Sequence, residues 1–185
     1  LGDVYKRQTS YSKGVMLPYR SLWSNTTFAF EVLPLKAGDK IVSMLPMAHM
    51  YGLAFEFLYE FAVGCHIFFL TRMPSPKIIF QAFTEVKPNL IVAVPLIIEK
   101  IIKKSVLPKL ETPTMKLLLK VPIINDKIKA TVREQMIQAF GGNFAEVIVG
   151  GAAFNQEVEQ FLKMIDFPYT VCLLYTSDAA DDLIG

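Results

Sequence analysis

The sequence predicts an α/β fold: an open, mostly parallel sheet with flanking helices. Three observations carry this. Strand-like runs such as "NLIVAVP" are apolar at every position rather than at alternate ones, the pattern of strands covered on both faces. Those runs alternate with helical segments along the chain. The 185 residues, 52% of them hydrophobic, amount to about one domain and supply ample material for one core.

Taken in order, Pro18 precedes an apolar-rich run to Leu33 and suits the first turn of a helix. "KAGDKIVSMLP" reads as a Gly-Asp turn feeding a short buried strand, Ile41 to Leu45, stopped by Pro46. A helix from Met50 to Val63, a strand from Cys65 to Thr71 and a helix from Pro76 to Val86 lead to the strand in "NLIVAVP". Leu96 to Lys104 reads as helical, and Thr114 to Lys120 as a short helical turn. Ile124, Ile128, Val132, Met136 and Phe140 recur at every fourth position and line one face of a helix, which Gly141-Gly142 ends. The strand "EVIVGG", a helix from Gln156 to Ile165 and a strand around Tyr169 to Val171 complete the alternation, and no internal repeat is visible.

The two ends differ in texture from the rest. "LGDVYKRQ" (residues 1–8) and "CLLYTSDAADDLIG" (residues 172–185) resemble translated sequencing-adapter read-through and are read as non-native tails, leaving 9–171 as the folded segment. They hold two of the 19 basic and four of the 17 acidic residues, so the remainder is modestly basic. That excess concentrates between Glu99 and Arg133. Such a patch is compatible with cofactor phosphates or with peripheral contact at an anionic membrane, and is more often a solvated face. No aromatic residues interleave with its lysines as in a base-stacking surface, which argues against nucleic acid.

Cys65 and Cys172 lie far apart without metal-type spacing, so neither a disulfide framework nor a zinc site is expected, and a reducing, cytoplasmic setting is. Tyr51 to Leu70 is the one stretch apolar enough to suggest a membrane span. It carries Glu56, Glu60 and His66, and each central carboxylate costs about 2.5–3.5 kcal/mol on insertion. A buried helix followed by a strand accounts for it better.

Three segments carry residue types suited to chemistry. In "TSYSKG", Thr9, Ser10 and Ser12 precede Lys13 and Gly14, so hydroxyls and an ammonium converge on a glycine, as in loops that hold phosphate oxygens. Ser, Lys and Gly also make many ordinary turns. "LPMAHMYG" is a strand end, a proline, then His49, Tyr51 and Gly52 opening a helix. "VGGAAF" is a strand running into Gly150, Gly151, Ala152 and Ala153. The last two segments stand at strand ends, where open α/β sheets bind ligands.

In this order the segments resemble the adenylate-forming ligases, and most closely their long-chain acyl-CoA synthetase branch. That family's phosphate loop has the form T-S-G-T-T-G-x-x-K-G. Thr9 stands at the second of its paired threonines, Ser10 at the last glycine before the lysine, and Lys13-Gly14 at its K-G, so the first half of the loop is absent. The resemblance implies that Thr9, Ser10, Ser12, Lys13 and Gly14 bind ATP phosphates. It places His49, with Tyr51 and Gly52, at the acyl and CoA pocket, and Gly150, Gly151, Ala152 and Ala153 against adenine and the acyl-adenylate. Ala153 stands where the family often has proline. The family's following G-Y-G-x-T-E segment, with its Mg²⁺ carboxylate, is not found after "FPYTV".

The resemblance covers Thr9 to Val171 and implies part of the large N-terminal domain of an ATP-dependent ligase. The parent would activate a fatty acid as its acyl-adenylate and transfer it to CoA, using ATP, Mg²⁺ and CoA, while the chain as it stands would be inactive. Two other readings stay open: adenylation of another carboxylate or an amino acid for a carrier protein, and a non-catalytic α/β binding domain.

Overall fold

A computed structural model describes residues 2–5, 13–106, 108 and 122–172 of the chain. Strands β3 (Lys40–Ser43), β4 (His66–Phe69), β5 (Ile91–Ala93), β6 (Val147–Gly150) and β7 (Tyr169–Cys172) form the sheet-like centre. β3 pairs with β4, β5 with β6, and β6 with β7, every pair parallel. The expected open, mostly parallel sheet is present as two parallel ladders, joined by hydrogen bonds at one residue pair: Asn89 donates its backbone amide to the Lys40 carbonyl (2.8 Å), and its Oδ1 accepts from the Lys40 amide (2.9 Å). Beyond this junction, Ile41 shares a core with Leu90 and Val92.

Between β3 and β5 the chain first steps outward to β4 and then returns to the far side of β3. That reversal is the topological switch at which open α/β sheets form a crevice.

Why the central strands are apolar throughout is visible in their two faces. Val42, Ile91, Ala93, Val147 and Val149 point into the larger core, packed by Ile79 and Phe83 of helix Pro76–Val86, Ile98 of helix Pro95–Ile101, Met136 of helix Pro122–Ala139, and Phe161 and Leu162 of helix Gln156–Met164. Ile41, Leu90, Val92 and Ile148 point the other way, against Tyr51. This second face is covered by helix 50–63, on which helix Tyr19–Val32 packs through the edge-to-face pair Phe30–Tyr59 and a bond from the Tyr59 hydroxyl to the Leu33 carbonyl.

Local chemistry explains most boundaries. Ser75 accepts the Ile78 amide and Pro76 opens its helix, so that start is marked twice. Asn155 caps helix Gln156–Met164 by accepting from the Val158 amide, with Glu157 and Glu159 in the positive first turn and Lys163 in the last. Gly141 and Gly142, both at positive φ, end helix Pro122–Ala139. Along that helix the four-residue spacing drifts around the cylinder, so Ile128 and Val132 are half-buried while Met136 and Phe140 are buried.

Several expectations shift. Pro18 caps its helix from an extended conformation instead of lying in the first turn. β3 stops at Ser43, before Leu45, because the Met44 and Leu45 amides turn away to a side chain described below. Helix 50–63 is not uniformly α-helical: Ala54–Leu58 winds as a π-helix between α-turns Met50–Leu53 and Tyr59–Val63, and a second π stretch, Ile102–Val106, extends helix Pro95–Ile101. Thr114 to Lys120 lies outside the described residues. Gly2–Tyr5, within the segment set aside as a tail, forms β1 and pairs antiparallel with β2 (Lys13–Met16), and Cys172 ends β7.

Candidate active site

The segments that follow β3 and β6 converge at Tyr51. Its ring is buried, and its hydroxyl donates to the Ile148 carbonyl in β6 at 3.2 Å, across 97 positions of sequence. Burial above all, with Cys172, Glu56 and Glu60 adding to it, holds the phenol well above its ordinary pKa, so it remains a hydrogen-bond donor.

Two glycines make this approach possible. A Cβ on Gly150 would sit 2.8 Å from Tyr51 Cζ, so the ring occupies the space a side chain there would need. A Cβ on Gly52 would sit 2.7 Å from the Pro46 carbonyl oxygen, so the helix start can rest on the β3 exit only at glycine. Gly151 follows at φ +86°, with Val94 and Tyr51 at ordinary contact distance from where a Cβ would lie. Ala152 and Ala153 are exposed beyond it.

His49 is exposed and caps the helix start, its Nδ1 accepting the Tyr51 amide at 3.2 Å. Its ring is thereby oriented while its Nε2 edge makes no bond among the described contacts. Lys13 and Gly14 lie in β2, opposite Tyr5 and Val4. Thr9, Ser10 and Ser12 lie outside the described residues. Of the sequence-predicted groups, then, His49, Tyr51 and Gly52 are brought together with Gly150 and Gly151 at the exits of β3 and β6.

Sequence reasoning missed a buried carboxylate that holds the β3 exit, and a second beside it. Glu56, in the π-helical stretch, is fully buried, and its Oε2 accepts from Ser43 Oγ (3.2 Å), the Met44 amide (2.9 Å) and the Leu45 amide (2.7 Å). Burial pushes its pKa up to about 7 against the pull of those three donors. Glu60, one turn on, is also fully buried; burial, with Glu56 adding to it, pushes its pKa up to about 9. Glu56 Oε1 and both Glu60 oxygens have no hydrogen-bond partner among the described residues. Glu99, on helix Pro95–Ile101, accepts the Asn155 amide at 3.0 Å and ties down the far end of the Gly150–Ala153 segment. Read in sequence, the two carboxylates of helix 50–63 counted only against a membrane span. The signal that finds them is a strand-end Ser43 a dozen residues before an acidic residue on an otherwise apolar helix.

Among the described residues no helix is long and apolar enough to cross a membrane, and no group of three His, Cys, Asp or Glu side chains is placed to hold a metal ion.

Parallel strands whose glycine- and proline-bearing exits gather at a switch point are the architecture of an α/β enzyme that binds its ligand at the strand ends. Residues 9–173 match the AMP-binding enzyme family, and the chain belongs to that family. A chloroplastic long-chain-fatty-acid–[acyl-carrier-protein] ligase of Arabidopsis thaliana is 35% identical over 91 residues, 49% of this chain and 12% of that protein. An acyl-CoA ligase of Penicillium expansum is 28% identical over 96 residues, 52% of this chain and 20% of that protein. The N-terminal domain of FACL13 from Mycobacterium tuberculosis, solved with an inhibitor, shares the fold at a TM-score of 0.61 and 15% identity, over 94% of this chain and 35% of that one. MatB from Rhodopseudomonas palustris does so at 0.61 and 16%, over 91% and 27%. The chain therefore spans a minor part of the relatives it matches.

Proposed function

We propose that residues 9–171 are a segment of the adenylation domain of a fatty acid–CoA ligase. In the parent protein a carboxylate oxygen of the acid attacks the α-phosphorus of ATP, releasing pyrophosphate and leaving an acyl-adenylate, and the CoA thiolate then displaces AMP. Two anions must meet in the first step. Lys13 and the hydroxyls of Thr9, Ser10 and Ser12 are the groups suited to stabilise charge on the phosphates, with the Gly14 amide beside them. Gly150, Gly151, Ala152 and Ala153 would border adenine and the acyl-adenylate, and His49, Tyr51 and Gly52 the acyl pocket and the path of CoA. A divalent cation would offset phosphate charge. The described residues offer no group of three His, Cys, Asp or Glu side chains to hold it.

The observation that carries this reading is the meeting at Tyr51 of two motifs almost a hundred residues apart, at the switch point, in a chain whose family match runs nearly end to end. It is tested by pyrophosphate–ATP exchange in the full-length protein with palmitate, acetate and a mixed amino-acid pool. Exchange with palmitate is expected; exchange with amino acids alone would sink the fatty-acid reading. The 185-residue chain by itself is expected to show none.

The Arabidopsis relative, an acyl-carrier-protein ligase, favours one second reading, in which the same adenylate is passed to a carrier protein instead of CoA. Supplying CoA or acyl carrier protein to the preformed adenylate separates the two.

A further inference from the structure

Helix 50–63 buries the wrong residues for a helix shaped by hydrophobicity alone. Glu56 and Glu60 are fully buried, whereas Phe61 beside them is 71% exposed. Burying a carboxyl group is costly, and large aromatic side chains normally take such places. The helix also departs from α geometry over Ala54–Leu58, the stretch that contains Glu56, and π-helical turns of this kind occur frequently at functional sites.

The contacts of Glu56 show where this arrangement acts. One carboxylate oxygen gathers the Ser43 hydroxyl and the Met44 and Leu45 amides, the three donors at which β3 ends. Immediately beyond lies the Pro46 carbonyl, which receives the His49 amide and against which Gly52 is packed. From there His49 orients itself on the Tyr51 amide, and Tyr51 reaches β6. Among the described residues, the Glu56 side chain hydrogen-bonds none of the groups assigned to substrate. It holds the turn from which they hang.

We propose that Glu56 is a positioning residue for the acyl side of the site. It fixes the β3 exit turn, and with it the placement of His49 and Tyr51, while leaving the phosphate-binding segment unaffected. This rests on the ligase reading above. A displacement of about 1 Å at a positioned group is enough to cost on the order of a hundredfold in rate, so a turn held by three hydrogen bonds is a sensitive point. An acceptor oxygen is what the turn requires, and the charge is secondary: glutamine offers a carbonyl oxygen to the same three donors and alanine offers nothing.

The test is carried out in the full-length protein with Glu56→Gln and Glu56→Ala. For Glu56→Ala the KM for the acid should rise about tenfold or more in pyrophosphate–ATP exchange, with the KM for ATP within about twofold, and Glu56→Gln should restore most of the loss. Amide exchange at Met44 and Leu45 should speed up in Glu56→Ala and stay slow in Glu56→Gln, which separates a loosened turn from a lost fold. An active wild type whose Glu56→Ala variant keeps its KM for the acid, or loses acid and ATP binding together, overturns this role alone. A wild type that activates no carboxylic acid overturns the ligase reading and this role with it.

Discussion

β3 and β6 are short parallel strands that end at the same tyrosine, yet the turns beyond them are held by different chemistry. At the β3 exit a fully buried carboxylate, Glu56, collects three donors, with a second buried carboxylate, Glu60, one turn away. At the β6 exit the half-buried Glu99 takes one amide, and the rest is steric: Gly150 yields its side-chain space to Tyr51, and Gly151 turns the chain at positive φ. The first exit is held by hydrogen bonds to a buried titratable group and should respond to protons. The second is held by shape and should not.

The largest expected effect follows from that contrast. Glu56 and Glu60 both have folded-state pKa values above the ordinary 4.5, near 7 and 9. Between those limits the folded chain binds more protons than the unfolded one. Stability from this pair is therefore fully present below about pH 4.5 and is lost as pH rises through about 7 and then about 9, amounting to several kcal/mol. Urea unfolding midpoints should fall across that range. Exchange protection of the Met44 and Leu45 amides, which donate to Glu56, should change across that range before that of Ile148 and Val149 does. Simultaneous change at both exits would break the comparison.

Next in size is Gly52→Ala. The new methyl would meet the Pro46 carbonyl at 2.7 Å and Leu45 Cβ at 3.1 Å, and a backbone carbonyl cannot swing aside as a flexible side chain can. A loss of about 3 kcal/mol is expected, at the upper end for overpacking, measurable by thermal or urea unfolding. Gly150→Ala meets the Tyr51 ring instead, at a similar distance, and a ring can shift; about 2 kcal/mol is expected there. Equal costs would mean that Tyr51 is as immobile as backbone.

How far the sequence foretold this difference depends on the range of each interaction. Helix Pro76–Val86 was legible to the residue because Ser75 and Pro76 mark its start locally, and the glycine pair after Phe140 marked an end in the same way. The fully apolar strands announced a sheet covered on both faces, and Val42 and Ile41, adjacent in sequence, do point into opposite cores. The meeting of β3 and β5 at Asn89 was not legible, since nothing near Lys40 names a partner 49 positions away. The convergence of the second and third motifs was not legible as a contact, because the fit between Tyr51 and Gly150 depends on how two strands separated by four described helices come side by side. Glu56 escaped for another reason: in the sequence it weighs only against a membrane span, and only its three donors reveal what it holds.

The smallest effect sharpens the β6 side. Glu99 bonds the Asn155 amide, while Asn155 itself caps the following helix through its own side chain, so the two bonds share one residue and reinforce each other. Glu99→Ala removes an acceptor from a half-buried amide that water can partly replace, and about 1 kcal/mol is expected. Glu99→Gln keeps the acceptor and should cost less than half of that. Because Glu99 holds the loop at its far end, Glu99→Ala should speed amide exchange at Phe154 and Asn155 and leave Met44 and Leu45 untouched. If the β3 exit loosened as well, the two turns would be one mechanical unit coupled through Tyr51, and the division between a proton-sensitive exit and a shape-held one would have to be abandoned.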